Sequence, residues 1–298
     1  MRKVNTLGIC FAILAAALYA LSAPLSKLLL GTVPSTLMAG LLYIGAGIGM
    51  GVVALVRFCR GVRTAEASIT RADLPYTFAM IVLDIAAPIF LLLGLSYVSA
   101  ANVSLLNNFE IVATALIALA VFGERISARL WLGIGFVTLS CMLLSFEDIL
   151  HFDFSVGSLF VLLACLCWGI ENNCTRKLSD KDPLQIVVLK GFFSGIGSLA
   201  IGLVLGERVT NWWGILGALA VGFVAYGLSI YFYVYAQRLL GAARTGAYYA
   251  VAPFIGVLLS LLIFRQMPTP LYFVALIIMA VGAWFCSSDA PLFQKKDN

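Results

Sequence analysis

Long apolar segments alternate with short polar connections along almost the whole chain. A helix needs about 20 apolar residues to cross the hydrocarbon core of a bilayer. The longest connection is the basic stretch RFCRGVRTAEASITRAD, so no soluble domain is expected. The pattern predicts an all-α polytopic membrane protein with ten transmembrane helices, at residues 5–29, 34–57, 73–95, 101–122, 128–147, 155–176, 183–206, 211–237, 243–264 and 269–287.

The basic residues test this count, because lysine and arginine favour the cytoplasmic side of short loops. With a cytoplasmic amino terminus, fifteen of the 19 lie in inside segments, and two, Arg208 and Arg265, lie outside. The other two, Lys27 and Lys190, lie within spans. A missed or invented span would scramble this bias, so both termini are predicted to be cytoplasmic.

The composition agrees with a location in the plasma membrane. The chain is 62% hydrophobic and 11% charged, whereas a soluble domain is about half apolar and about a quarter charged. The net charge of +5 is spread over short clusters between spans, which indicates topology and no nucleic-acid partner. The amino-terminal apolar run resembles a signal peptide, but it is long enough to span and is expected to be retained.

The sequence predicts neither a metal site nor a cofactor. Its seven cysteines form no CxxC pair, and the single histidine, His151, has no partner at ligand spacing. It also lacks the GxxxxGK[ST] motif that binds ATP phosphates. Any active transport is therefore expected to be secondary.

The two halves of the sequence resemble each other. LYALSAPLSKLLLGTVP (18–34) aligns with CWGIENNCTRKLSDKDP (167–183), and residues 99–124 align with residues 241–266. Each unit has five spans, so the second copy enters the membrane from the opposite side. We predict a 5+5 inverted-topology repeat, with a first repeat at 1–147, a second at 153–288 and a short cytoplasmic tail at 289–298.

The five-plus-five order, the Trp168–Gly169 pair and the FGERIS segment (122–127) resemble the drug/metabolite transporter superfamily, specifically its EamA-like transporter family. The resemblance covers essentially the whole chain and implies a transporter of amino acids, other metabolites or drugs. The fourth and ninth spans of that family usually carry an acid–proline step. Here Glu110 is followed by Ile111, and Pro253 is preceded by Ala252.

The fourth span carries polar residues where lipid would reject them. On a continuous helix Ser104, Asn107, Glu110 and Thr114 fall within about 120° of one another, as one polar stripe. Glu110 lies about 14 Å below the outer end, near the midplane. Ionisable residues at this depth are candidates for function, so the stripe is predicted to face the interior.

Asp84 matches Glu110 in depth, since each is 13 positions from a turn near residue 97. If the two carboxylates face each other, one of them retains a proton at neutral pH and is available for proton coupling. The alternative is that each carboxylate separately binds a serine, threonine or asparagine side chain and fixes packing.

Glu171 and Lys190 also match in depth, on either side of a turn near residue 180. An ion pair between them would lower the cost of two buried charges. The pair is expected to orient the fold, or else to take part in gating or contact an anionic solute. Trp168 and Thr175 share a face with Glu171, so this face is expected to border a central cavity.

Weaker candidates are aromatic residues and prolines within spans. Tyr226 and Tyr248 are candidates for lining a cavity, although tyrosine also occupies packing seams and membrane interfaces. Pro88 and Pro253 are hinge candidates, because each leaves a backbone carbonyl unpaired; packing is the competing interpretation.

The leading hypothesis is a secondary transporter of a small metabolite, such as an amino acid or a related solute, working by alternating access and coupled to protons. Export is expected by analogy with the family alone. The expected partners are the solute and the lipid bilayer, with the chain a monomer or a homodimer. The alternatives are a membrane-embedded enzyme acting on a lipid-linked substrate and a non-transporting sensor or scaffold.

Overall fold

The computed structural model describes residues 6–61, 67, 69–122, 127–148, 153–178, 181–240, 248–265 and 268–287. Three features of the sequence lie outside these residues: the amino-terminal residues 1–5, His151 and the predicted tail at 289–298. The described chain is helical apart from its connections and one short hairpin.

The helices of the N-terminal half follow the first five predicted spans. They are α1 (Thr6–Ala20), α2 (Ser22–Leu29), α3 (Ser35–Cys59), α4 (Leu74–Tyr97), α5 (Ala100–Leu106), α6 (Phe109–Phe122) and α7 (Ala128–Ser145). A 3₁₀ turn at Arg71–Asp73 leads into α4. An antiparallel hairpin, β1 (Phe146–Asp148) and β2 (Asp153–Phe154), then connects the two halves.

The C-terminal half follows the other five. Its helices are α8 (Val156–Lys177), α9 (Pro183–Leu189), α10 (Gly195–Val204), α11 (Trp212–Val221), α12 (Ser229–Leu240), α13 (Ala252–Phe264) and α14 (Pro270–Ser287). Single π-helical segments, Lys190–Ser194 and Gly222–Leu228, join α9 to α10 and α11 to α12. Such π-bulges frequently mark functional sites.

Eight helical stretches of the described chain are long and apolar enough to cross a membrane. They correspond to the first eight predicted spans. Two shorter apolar helices, α13 and α14, lie in the ninth and tenth predicted spans. The chain is therefore a polytopic helical membrane protein.

The fourth span is not the continuous helix that the sequence predicts. It is interrupted by a turn at Asn107 and Asn108 between α5 and α6. The Asn108 side chain explains the break, because its Nδ2 donates to the Leu105 carbonyl at 3.1 Å and so competes with the backbone hydrogen bonds of the helix.

Two other spans are interrupted as well. The first is divided at Leu21, three residues before Pro24, which has no N–H to donate to the Ala20 carbonyl. In the ninth, a turn at Ala250 and Val251 precedes α13. Pro253 occupies the first turn of α13, where a missing N–H costs little.

The halves pack against each other along their whole length. Helix α4 lies along α8, α1 along α12, α7 against α14 and α5 against α13. Helix α3 packs against α10 and the Gly222–Leu228 segment. A Cβ added to Gly191 would lie 2.4 Å from the Gly47 Cα, so the backbones of the second and seventh spans touch, as small-xxx-small spacing predicts.

Candidate functional site

Three charged side chains meet in the interior, and we call them the acid–lysine cluster: Asp84 on α4, Glu171 on α8 and Lys190 at the start of the first π segment. The Lys190 Nζ lies 2.5 Å from the Glu171 Oε1 and 3.2 Å from the Asp84 Oδ2. The residues are 1%, 4% and 7% exposed. The expected ion pair between Glu171 and Lys190 is present, and Asp84 is its third member.

Hydroxyl groups complete the surroundings of the cluster. The Tyr43 hydroxyl, from α3, donates to the Asp84 Oδ1 at 2.9 Å, and the Thr175 hydroxyl donates to the Glu171 Oε1. Buried charges need such hydrogen bonds in addition to their ion pairs. Trp168 is 7% exposed and packs in the apolar core beside this face of α8.

Glu110 lies in the first turn of α6 and has a partner of its own. The Asn172 Nδ2, from α8, donates to the Glu110 Oε1 at 2.7 Å and approaches the Thr114 Oγ1 at 3.3 Å. Asn173 donates to the Thr114 carbonyl at 3.2 Å. Together these bonds fix α6 on α8.

The Trp168–Gly169 pair of the sequence explains why α6 and α8 come so close. A Cβ added to Gly169 would lie 2.7 Å from the Ala113 Cβ. This is closer than two such carbons can approach, so only glycine permits the contact. The contact brings Asn172 within hydrogen-bond distance of Glu110.

The structure distinguishes the two alternatives for the acids and corrects the prediction of one continuous stripe. Asp84 pairs with Lys190 and Tyr43, and Glu110 with Asn172, so the two carboxylates do not face each other and each has partners of its own. Equal depth in the membrane does not fix the direction in which a side chain points. The fourth-span stripe also divides, because the turn at Asn107 changes the direction of the chain: Ser104 and Asn107 line a cavity, whereas Glu110 and Thr114 contact α8.

That cavity lies where the three interrupted spans meet. It has a volume of about 20 Å³, which is room for about one water molecule, and we call it the central cavity. The Leu21 break contributes Tyr19 and Ser22, the Asn107 break contributes Ser104 and Asn107, and the beginning of α13 contributes Pro253. Discontinuous helices of this kind form the substrate sites of many transporters, because their ends expose unpaired backbone groups.

Tyrosines connect the central cavity to the acids. Tyr19 lies near enough to Glu110 to interact with its charge. Tyr226 is 3% exposed, accepts a hydrogen bond from the Ser22 hydroxyl at 3.3 Å and packs against the rings of Tyr19 and Tyr43. Tyr43 in turn binds Asp84.

Neither of the tyrosines predicted to line a cavity is among the residues that line the central cavity. Tyr226 is buried in the core, and Tyr248 is 38% exposed. Its neighbour Tyr249 contacts the Tyr19 ring at a centroid distance of 6.0 Å instead. Adjacent residues on a helix point about 100° apart, so only one of the two faces the interior. Pro88, the other hinge candidate, is buried inside the unbroken helix α4.

A larger cleft of about 220 Å³ lies at the predicted outer end, between α5, α13 and α14. Its lining includes Asn102, Ser260, Thr269 and Tyr272. Neither this cleft nor the central cavity has an acidic or basic side chain in its lining.

Both ends of the bundle are held by polar contacts. At the predicted outer end, the Lys27 Nζ donates to the carbonyls of Leu95 and Val98. At the predicted cytoplasmic end, the Lys181 Nζ lies 3.1 Å from the Asp73 Oδ2.

Sequence reasoning missed three residues of the site. Asn172 follows directly after Glu171 in the segment GIENNCT, which mirrors the NNFE segment of the fourth span and was a usable signal. Tyr19 and Tyr43 carry no such signal, because a lone tyrosine in an apolar span is ordinary.

The described chain thus defines a helical membrane protein with a charged cluster and a small cavity deep in its interior. A family model for the EamA-like transporter family matches residues 6–146 and again residues 155–288. The chain belongs to the EamA-like transporter family, and it is a multi-pass transporter of the plasma membrane.

Relatives and a solved structure agree with this assignment. An uncharacterized transporter of Methanothermobacter thermautotrophicus is 26% identical over 280 residues, which cover 89% of this chain and 82% of that protein. The uncharacterized transporter YyaM of Bacillus subtilis is 22% identical over 181 residues, 56% of this chain and 58% of that protein. A crystal structure with 17% identity superposes with a TM-score of 0.66 over 97% of this chain and 98% of its own, which shows a shared fold.

Proposed function

We propose that the chain is a proton-coupled antiporter that exports a small amine-bearing metabolite, such as an amino acid or a related solute, by alternating access. The observation that carries the proposal is the meeting of three interrupted spans at one small cavity, one of whose lining residues, Tyr19, interacts with Glu110. Each break is costly in lipid unless it lines a polar site, so three breaks at one place indicate a binding site.

The pattern of helix contacts supports ten spans in two inverted repeats, at 1–147 and 153–288. In such a repeat, each span of the first half corresponds to the span five places later in the second half. The contact between α4 (third span) and α8 (sixth span) then corresponds to the contact between α12 (eighth span) and α1 (first span), and both contacts exist. The same correspondence relates the α6–α8 and α13–α1 contacts. Two repeats joined by such an axis can rock about a central site.

The position of the breaks supports the same relation. The turn at Asn107 and Asn108 in the fourth span aligns with Tyr249 and Ala250 in the ninth, where the chain turns at Ala250 and Val251. The two half-helices that follow, α6 and α13, begin within one aligned residue of each other.

The charge balance supports proton coupling and a cationic group on the solute. Asp84, Glu171 and Glu110 are three acids, and Lys190 is the one basic residue among them. An uncompensated charge in the interior costs several kcal/mol, so the site favours binding either protons or an ammonium group. A proton and a solute amine would then compete for the same excess negative charge, as antiport requires.

The test is a flux measurement on the purified protein in liposomes. A thermal-shift screen over amino acids, nucleosides and cationic amines, at two pH values, first identifies a solute. We then expect a pH gradient to drive its accumulation in wild-type vesicles and expect Glu110→Gln to abolish this accumulation. Glu207→Gln is the matched control, because Glu207 is also a carboxylate but caps the start of α3 at the predicted outer end.

Accumulation that ignores the pH gradient, or that survives Glu110→Gln at the full rate, would contradict the proposal. A chain that hydrolyses or modifies a lipid-linked substrate without any flux would favour the enzyme alternative instead.

A further inference from the structure

The two bonds of Lys190 differ in what they connect. Lys190 and Glu171 both belong to the C-terminal half, so their 2.5 Å contact stays within that half. Asp84 belongs to the N-terminal half, so the 3.2 Å contact between Lys190 and Asp84 joins the halves. The Lys190 ammonium group therefore makes one contact within the C-terminal half and one contact between the two halves.

We infer that Asp84 is the binding site of the coupling proton, and that Lys190 acts as a latch between the halves which this proton releases. The inference deepens the proposed function and rests on it in one respect, that the binding of this proton is coupled to transport of the solute. The proton site and the latch are properties of the cluster itself, whatever the solute.

The step is a simple protonation. A proton from water binds the Asp84 Oδ2, and the carboxylate becomes a neutral carboxyl group. Lys190 keeps all its protons and its charge, so its attraction to Asp84 falls while its attraction to the Glu171 carboxylate remains. The bond between the halves is then lost and the internal bond is kept.

Asp84 is a better proton site than Glu171 for geometric reasons. Glu171 has the shorter contact with Lys190 and also accepts a hydrogen bond from the Thr175 hydroxyl. Asp84 is the more deeply buried of the two and has the longer contact with Lys190.

The groups that face Asp84 from the packed elements are few among the described residues. Tyr43 faces it from α3, Glu171 from α8, Lys190 from the π segment, and Tyr226 from the second π segment. Glu171 opposes the charge of Asp84, whereas Lys190 and the Tyr43 hydroxyl favour it. Lys190 compensates the negative charge of one of the two carboxylates, Asp84 and Glu171. The cluster can therefore bind one proton.

Difference infrared spectroscopy on the purified chain in lipid nanodiscs tests the site without any solute. Between about pH 8 and about pH 5, we expect wild type to gain the carbonyl stretch of a buried protonated carboxyl. Because Glu110 is another buried carboxyl group of the interior, the variants are compared in a Glu110→Gln background, in which Asp84→Asn should remove this band and Glu171→Gln should retain it. The matched control is Asp73→Asn, which changes an acid at the predicted cytoplasmic end of the same span and should also retain it. A band that survives Asp84→Asn overturns the inference.

A milder variant covers the case in which Asp84→Asn fails to fold. Tyr43→Phe removes only the hydroxyl that donates to Asp84 and so removes one stabiliser of the charged form. We expect the midpoint of the infrared band to move to higher pH by about one to two pH units. An unchanged midpoint would show that the titrating group is not Asp84.

Backbone hydrogen exchange of α4 tests the latch. After correction for the intrinsic effect of pH, wild-type α4 should exchange faster at about pH 5 than at about pH 8. Asp84→Asn should show the fast rate at both pH values, because it mimics the protonated state, and a slow rate in this variant would refute the latch. If the infrared band and the pH-dependent exchange of α4 are both observed but no solute is transported, the proposed function is contradicted and this inference stands.

Discussion

Replacing Lys190 with methionine removes the positive charge of the acid–lysine cluster and keeps most of the side-chain volume. Asp84 and Glu171 are then left at 1% and 4% exposure without a counter-ion. Breaking a buried ion pair by removing one partner costs about 3–5 kcal/mol. For a chain of this size, we expect the unfolding temperature at pH 8 to fall by about 10 °C.

The cost should depend on pH with a definite sign. In Lys190→Met the folded state relieves its two uncompensated carboxylates by binding protons more readily than the unfolded state does. Because the folded state then binds more protons, its stability falls as the pH rises and recovers as the pH falls. The double variant Lys190→Met/Glu171→Gln, which leaves one carboxylate, should recover part of the loss at pH 8.

Thermal unfolding of purified protein in detergent, followed by tryptophan fluorescence, measures these differences. Lys177→Met is the control, since Lys177 is an exposed lysine at the end of α8 and surface changes usually alter stability by at most about 0.5 kcal/mol. A Lys190→Met variant as stable at pH 8 as this control would refute the view that Lys190 neutralises the buried acids.

Three further predictions follow from single contacts. Gly169→Leu should lower both folding yield and solute flux, because its Cβ would lie 2.7 Å from the Ala113 Cβ and 2.9 Å from the Ala113 carbonyl carbon. Gly135→Leu, whose Cβ would meet no atom within 4 Å, should lower neither, and an equal loss in the two variants would speak against this contact as the cause. Tyr226→Phe should cost about 1 kcal/mol in thermal unfolding, since it loses the hydrogen bond with Ser22 but keeps the ring; a loss as large as that of Tyr226→Ala would mean that the ring contributes nothing. Lys27→Met removes the hydrogen bonds to the Leu95 and Val98 carbonyls at the predicted outer end. A cysteine placed at position 104 should then react faster with an impermeant thiol reagent added from the predicted outer side. Unchanged labelling would show that Lys27 does not close that end.

The membrane class and the family follow from the sequence because their causes are local and additive. Each apolar run is long enough to span, and the predicted cytoplasmic connections carry most of the basic residues. The contact between Glu171 and Lys190 was also predictable, since equal distance from a turn places two residues of a helical hairpin at equal depth.

The interior of the site was not predictable in the same way. The sequence left open whether Asp84 and Glu110 face each other, because depth leaves the rotation of each helix undetermined, and the direction of Asp84 depends on Lys190, about a hundred residues along the chain. The stripe of Ser104 and Glu110 assumed a continuous helix, whereas the Asn108 side chain breaks it. The first question is tertiary and a single span does not encode it, whereas the second error is local, because Asn108 lies in the same span.

The most direct measurement of the central claim counts the protons released when the solute binds. Wild-type protein in weakly buffered detergent solution, with a pH indicator dye, is titrated with the solute that the thermal-shift screen selects. If solute and proton compete for the acids of the interior, binding releases protons from wild type and releases none from Asp84→Asn. Binding that releases no protons from wild type at any pH, or as many from the variant, would contradict the account.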